Sequence, residues 1–179
     1  MKLSPMVVMI MPSSTISKPS VLLEQIRTDF PDIEFVESSQ FSWHAGSNLV
    51  SYKVLKSDDI HGVWALLHEL GHALLGHIDF ETDIELLKIE VDAWSRAHKI
   101  ARKYGVVIDE DYIQNCLDSY RDWLHLRSTC PTCYERSLQI DKHTYHCLNC
   151  QTEWHVTRSR LCRPYRKKGR ASPSVYPSK

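Results

Sequence analysis

Residues 60–76 read Ile60-His61-Gly62-Val63-Trp64-Ala65-Leu66-Leu67-His68-Glu69-Leu70-Gly71-His72-Ala73-Leu74-Leu75-Gly76. A leucine-rich, proline-free run that ends at a glycine predicts a helix over residues 60–75, with Gly76 as its stop. Successive helical residues turn by about 100°, so His68 and His72 lie about 40° apart on one face. Leu66, Leu67, Leu70 and Leu74 occupy the other side, which gives the helix one face for a core and one for ligands. Two imidazoles at i and i+4 suit a single zinc ion, and Glu69 beside them suits a base that takes a proton from water.

A zinc ion that does chemistry takes three protein ligands and keeps one position open. Asp79, Glu81, His77 and Glu90 are near enough along the chain to supply the third. Asp79 and Glu81 fall between helices, where nothing in the sequence fixes their direction. His77 follows His72 by five residues, and on a continued helix it would point about 180° from His68. Glu90 has the stronger physical case. On the next helix Leu86, Ala93, Ala97, Ile100, Ala101 and Tyr104 make one apolar stripe, and Glu90 falls about 40° from Leu86, inside it. An ionised carboxylate there is costly unless paired, and a dication held by two histidines would pair it. Ala93 and Ala97 are small enough to let the two helices approach closely.

Working outward, residues 20–30 predict a helix that stops before Pro31. Residues 33–36, 41–43 and 49–55 read as strands, the last two separated by the turn-rich Ala45-Gly46-Ser47-Asn48. Residues 82–104 form a second long helix, opened by Thr82 and Glu85 as a capping box. Residues 109–127 form a third, opened by Asp109-Glu110-Asp111, where the helix dipole favours negative charge. Trp64, Trp94 and Trp123 are expected in the core, and His61, His98 and His125 at the surface or at caps rather than as ligands.

Four of six cysteines form Cys130-Pro131-Thr132-Cys133 and Cys147-Leu148-Asn149-Cys150, with thirteen residues between the pairs. Paired knuckles at this spacing in a chain expected to be cytoplasmic fit a zinc ribbon with a structural thiolate zinc rather than disulfides. Residues 137–140 and 143–146 alternate around Asp141-Lys142, as two strands of a hairpin would. Cys116 and Cys162 lie outside the pattern and are expected to be ordinary thiols.

The chain of 179 residues is 42% hydrophobic and 25% charged, too apolar for bulk disorder and too short for two full-sized domains. The fold class is α+β: a small sheet, the H-E-x-x-H helix and following helices in residues 1–127, a ribbon in 128–156 and a tail in 157–179. A formal charge of zero conceals −7 on residues 1–127, −1 on 128–156 and +8 on 157–179, so the tail is expected to be mobile. The apolar run at residues 6–11 falls far short of the ~20 residues of a membrane span and is read as a buried strand in a cytoplasmic protein with no membrane partner.

The segment His68-Glu69-Leu70-Gly71-His72-Ala73-Leu74-Leu75-Gly76-His77, followed by Glu90-Val91-Asp92-Ala93-Trp94, resembles the ImmA/IrrE-like branch of gluzincin metallopeptidases, over about residues 41–104. The resemblance implies a zincin-like domain in which His68, His72 and Glu90 hold zinc and Glu69 is the general base. Where that family continues with Asn and an aromatic-Ala-Ala run, this chain has Trp94-Ser95-Arg96-Ala97. SprT-like proteases also join an H-E-x-x-H domain to a C-terminal zinc ribbon, but their G-H-x-x-x-[WF] ligand segment is not found here.

The expectation is therefore a zinc metallopeptidase with two zinc ions, one catalytic and one structural, cutting a protein or peptide substrate such as a transcriptional regulator. The predicted strand over residues 49–55 offers an edge to an extended substrate. Tyr134, Tyr145 and Trp154, with the basic tail, would suit nucleic acid, and a non-enzymatic nucleic-acid-binding adaptor is the rival reading.

Overall fold

The computed structural model describes residues 18–157 and the backbone of Arg166–Lys168. The expected strand at residues 6–11, Cys162 and most of the basic tail lie outside the described residues. Helix α1 (Pro19–Asp29) is followed by strands β1 (Glu34–Glu37), β2 (Ser42–His44) and β3 (Leu49–Tyr52), then by helices α2 (Ile60–Leu75), α3 (Asp83–Lys103) and α4 (Glu110–Ser128). Strands β4 (Leu138–Asp141), β5 (Thr144–His146), β6 (Glu153–Val156) and β7 (Arg166–Lys168) complete the chain. The class is α+β, and no described helix is long and apolar enough to cross a membrane.

The first sheet runs β1-β3-β2, with β1 parallel and β2 antiparallel to β3. Strand β3 is therefore central: Val50 faces Phe35 on one side and Trp43 on the other. This corrects the expectation that residues 49–55 offer a free edge. The outer strand beside α2 is β2, and β3 ends at Tyr52 rather than reaching residue 55.

Helix α2 keeps its expected bounds because both ends are chemically fixed. The Asp59 side chain accepts from the Gly62 amide, and Gly76 takes a left-handed φ of 65°, where its N–H caps the last turn. Thr82 caps α3 by accepting from the Glu85 amide, while the Glu85 carboxylate reaches back to the Glu81 amide. Leu66, Leu67 and Leu70 of α2 pack with Leu22 and Ile26 of α1, Val50 of β3, and Ala97 and Ala101 of α3 in one core. Trp64, Trp94 and Trp123 are all buried. Where α2 crosses α3, a Cβ placed on Gly71 would stand 2.5 Å from the Ala93 carbonyl oxygen, so this crossing tolerates only glycine.

The second sheet runs β4-β5-β6-β7, antiparallel throughout. Strand β6 extends the expected hairpin, and within the tail Arg166–Lys168 pairs as β7 with Val156–Trp154 of β6. The sheet's own core is small: Tyr145, Trp154 and Val156 around Cys130 and Cys147. It is completed against the helices. Arg127 at the end of α4 and Asp83 at the start of α3, each about 1% exposed at the side chain, pair at 2.6 Å, and the Tyr145 hydroxyl donates to the same carboxylate. The Trp154 indole donates to the Arg127 carbonyl.

Candidate metal centres

Helix α2 puts His68 and His72 on one face, and α3 brings Glu90 against them. The two Nε2 atoms stand 3.0 Å apart, with Glu90 Oε2 at 3.2 Å from that of His68 and 3.7 Å from that of His72. Donors arranged tetrahedrally around zinc at bonds of about 2.1 Å sit about 3.4 Å from one another, so the spacing fits one shared ion. All three residues are less than a tenth exposed. Burial alone would raise the Glu90 carboxyl, yet hydrogen bonds with His68 and His72 outweigh it and hold the group well below the usual carboxylate range.

The two imidazoles are oriented by different means. The ring of His68 stacks on Trp94 at 4.2 Å between centroids, and its buried Nδ1 has no hydrogen-bond partner among the described residues. His72 instead presents Nδ1 to Nδ1 of His77 at 2.9 Å. His77 was set aside on the assumption of a continued helix. Because Gly76 reverses the chain, His77 folds back onto the far nitrogen of His72, outside the His68, His72 and Glu90 donor set. Burial and the neighbouring His72 push His77 below the ordinary histidine range, which favours the neutral ring whose Nδ1 can share one hydrogen bond with Nδ1 of His72.

Glu69 stands beside this group, tied to strand β2: the Trp43 amide donates to Glu69 Oε2 at 2.8 Å. The indole of the same Trp43 donates to the His77 carbonyl at 2.7 Å. One residue of the outer strand thus braces both the carboxylate and the partner of His72. The sequence pattern carries no sign of this, since the contacts join residues 26 and 34 positions apart.

A cleft of about 360 Å³ opens over these side chains. Besides His68, Glu69, His72 and Glu90, it is lined by Phe41 and Trp43 from the β2 side and by Ile78, Asp79 and Phe80 from the segment linking α2 to α3. Buried donors, an adjacent carboxylate and a cleft lined by both polar and apolar side chains together make a place for an ion and for a ligand that reaches it.

No protein-family model, curated protein or solved structure matches this chain. Its chemistry is read from its own donors.

The second group, Cys130, Cys133, Cys147 and Cys150, is compatible with a zinc ribbon. Sulfur atoms of Cys130 and Cys150 lie 3.6 Å apart and those of Cys133 and Cys147 3.5 Å, near the about 3.8 Å edge of a tetrahedron with zinc–sulfur bonds of about 2.3 Å. The knuckles share one construction. Tyr134 and Gln151 take left-handed φ values of 64° and 59°. Their amides close turns onto the carbonyls of Cys130 and Cys147, whose own amides donate to Glu135 and Thr152. The Cys150 amide and the Ser137 hydroxyl favour the Cys147 thiolate and bring it to about 6. The Glu135 amide favours the Cys133 thiolate as well, but burial and the neighbouring Cys150 and Cys147 sulfurs win and push Cys133 up to about 11. Four thiols so close cannot all ionise without a cation.

Tyr145 and Trp154 are buried and stack on each other at 5.5 Å, so neither is available to a nucleic-acid base; Tyr134 is exposed. Asp79 and Glu81, weighed above as ligands, point instead to Lys142 in the β4–β5 turn, at 3.0 and 2.9 Å.

Proposed function

We propose that this chain is a zinc-dependent peptidase of the ImmA/IrrE-like type, built on a zincin-like domain with a zinc ribbon fastened to it. One observation carries the reading: a carboxylate, Glu69, is held by a main-chain donor in the lining of a cleft, beside three converging donors, one fewer than a tetrahedral zinc takes. A purely structural ion has no use for a base so placed. The small sheet with β2 alongside the H-E-x-x-H helix supports the zincin-like assignment.

His68, His72 and Glu90 would hold the ion. Zinc, when bound, supplies a Lewis acid that acidifies water and polarises a peptide carbonyl. Glu69 takes the proton of the attacking water and passes it to the leaving amine. Trp43 fixes the Glu69 carboxylate through its amide, and His77 fixes the ring of His72. The substrate class is a protein or peptide, with transcriptional regulators as the class that the resemblance implies. The four cysteines hold a structural zinc.

The test is metal content and cleavage in one preparation. The wild-type chain is expected to bind two zinc ions and to create new N-termini in a cognate proteome. Glu69→Gln keeps both ions and loses at least about 10²–10⁴-fold in rate, the contribution of a positioned base. Undiminished turnover in Glu69→Gln would sink the assigned base. A single, tightly held ion with no cleavage would favour the adaptor.

A further inference from the structure

We infer that the ribbon is a positioning element of the cleft: through Lys142 and the Asp83–Arg127–Tyr145 cluster, the four-cysteine site sets the conformation of residues 77–82, which form the outer wall over the metal. The bearing on catalysis rests on the peptidase reading, whereas the positioning itself rests on contacts alone.

Residues 77–82 belong to no helix or strand, yet Ile78, Asp79 and Phe80 line the cleft. Ile78 is 85% exposed and cannot anchor the segment by packing. Its ties come from outside. At the start, the Trp43 indole holds the His77 carbonyl. Further on, the ribbon takes over. Lys142 Nζ lies 3.0 Å from Asp79 and 2.9 Å from Glu81, so two carboxylates converge on one ammonium. Hydrogen bonds to Glu81 and Asp79 accordingly raise Lys142 above the ordinary lysine value.

At residue 83 the attachment becomes buried. The Asp83 carboxylate accepts from Arg127 Nε at 2.6 Å, Arg127 Nη2 at 3.1 Å and the Tyr145 hydroxyl at 2.5 Å. The Asp83 amide donates to the Gln139 side chain of β4 at 2.8 Å. Three ribbon residues, Gln139, Lys142 and Tyr145, thus hold one stretch of chain between residues 79 and 83.

These residues belong to β4, β5 and the turn between them, and Cys147 directly follows β5. The Asp141 carboxylate fixes the turn through the His143 amide at 2.8 Å. The sheet's small core includes Cys130 and Cys147 themselves, so the hairpin keeps its shape only while the cysteine site is closed. Losing the ribbon's ion would release Lys142, Gln139 and Tyr145 together and free the cleft wall, although none of the four cysteines touches the cleft.

The experiment is hydrogen exchange on the full zinc-loaded chain, comparing wild type with Lys142→Met, Lys142→Arg and Cys150→Ser, with zinc content measured alongside. Cys150→Ser is expected to lose one zinc ion and to speed exchange across residues 77–82 by about tenfold or more, leaving residues 60–75 as protected as before. Lys142→Met breaks two partly exposed ion pairs and is expected to speed exchange in 77–82 two- to fivefold, while Lys142→Arg restores protection. If a peptide substrate is in hand, Lys142→Met raises KM and leaves kcat nearly unchanged. Unaltered exchange in 77–82 when ribbon amides 138–156 exchange freely would overturn the inference. Should Cys150→Ser unfold the whole chain, the Lys142 pair decides it. Faster exchange in a protein that cleaves nothing would keep the positioning role and remove the peptidase reading.

Discussion

The two candidate metal groups of this chain, a lower one of four cysteines and an upper one of His68, His72 and Glu90, are built on opposite plans. The lower one gathers four thiols from two knuckles that share a single turn construction, in a sheet whose small core includes the ligands themselves. The upper one takes three donors from two long helices that already have a large core of their own, and faces a cleft. A complete donor set closes a site and links the ion to folding, whereas an incomplete set on a prefolded frame leaves a position where chemistry can occur. The two groups therefore differ in their support as much as in ligand type.

The contrast can be broken most directly at Cys147. Cys147→Ser is expected to cost one zinc ion and the folded ribbon, since apparent binding free energies for thiolate sites are roughly 10–16 kcal/mol, while His68, His72 and Glu90 keep their ion. Elemental analysis with hydrogen exchange reads both, and a ribbon that stays protected would show that it does not need its metal. Next in size is Gly71→Ala. Because the new methyl meets the Ala93 backbone and not a flexible side chain, the expected loss is about 3 kcal/mol in denaturant unfolding, the upper end of overpacking costs. The smallest effect concerns the orientation of a single ring. His77→Ala is expected to leave stability nearly unchanged and to weaken zinc at the upper site about 10- to 100-fold in a chelator competition. An unchanged affinity would mean that His72 needs no partner on Nδ1.

The helices were legible because local rules fix them: leucines at helical spacing, Gly76 at the end of α2, and Thr82 at the start of α3. Glu90 was legible for a related reason, as a charge on an otherwise apolar stripe, and the structure places it against both histidines. What joins distant parts was not. Nothing local in Glu153–Val156 announces a strand beyond the expected hairpin, and Arg166–Lys168 read only as charge. Asp83 gives no local sign of its role, because its partners Arg127 and Tyr145 lie 44 and 62 residues away. His77 stays outside the donor set as expected, but its direction was not legible, because it depends on one backbone angle at Gly76. Periodicity reports which face of an element is buried, but carries no record of what it is buried against.

Trp43 reaches the site with two arms of unequal durability. The arm to Glu69 is a main-chain N–H, which every amino acid except proline supplies, so nearly any replacement at position 43 preserves it. The arm to His77 is an indole nitrogen, which no other side chain reproduces in shape and reach. Point mutation at this one position therefore threatens the setting of the histidine ring while sparing that of the carboxylate, so the Glu69 tie is the one insured against genetic drift.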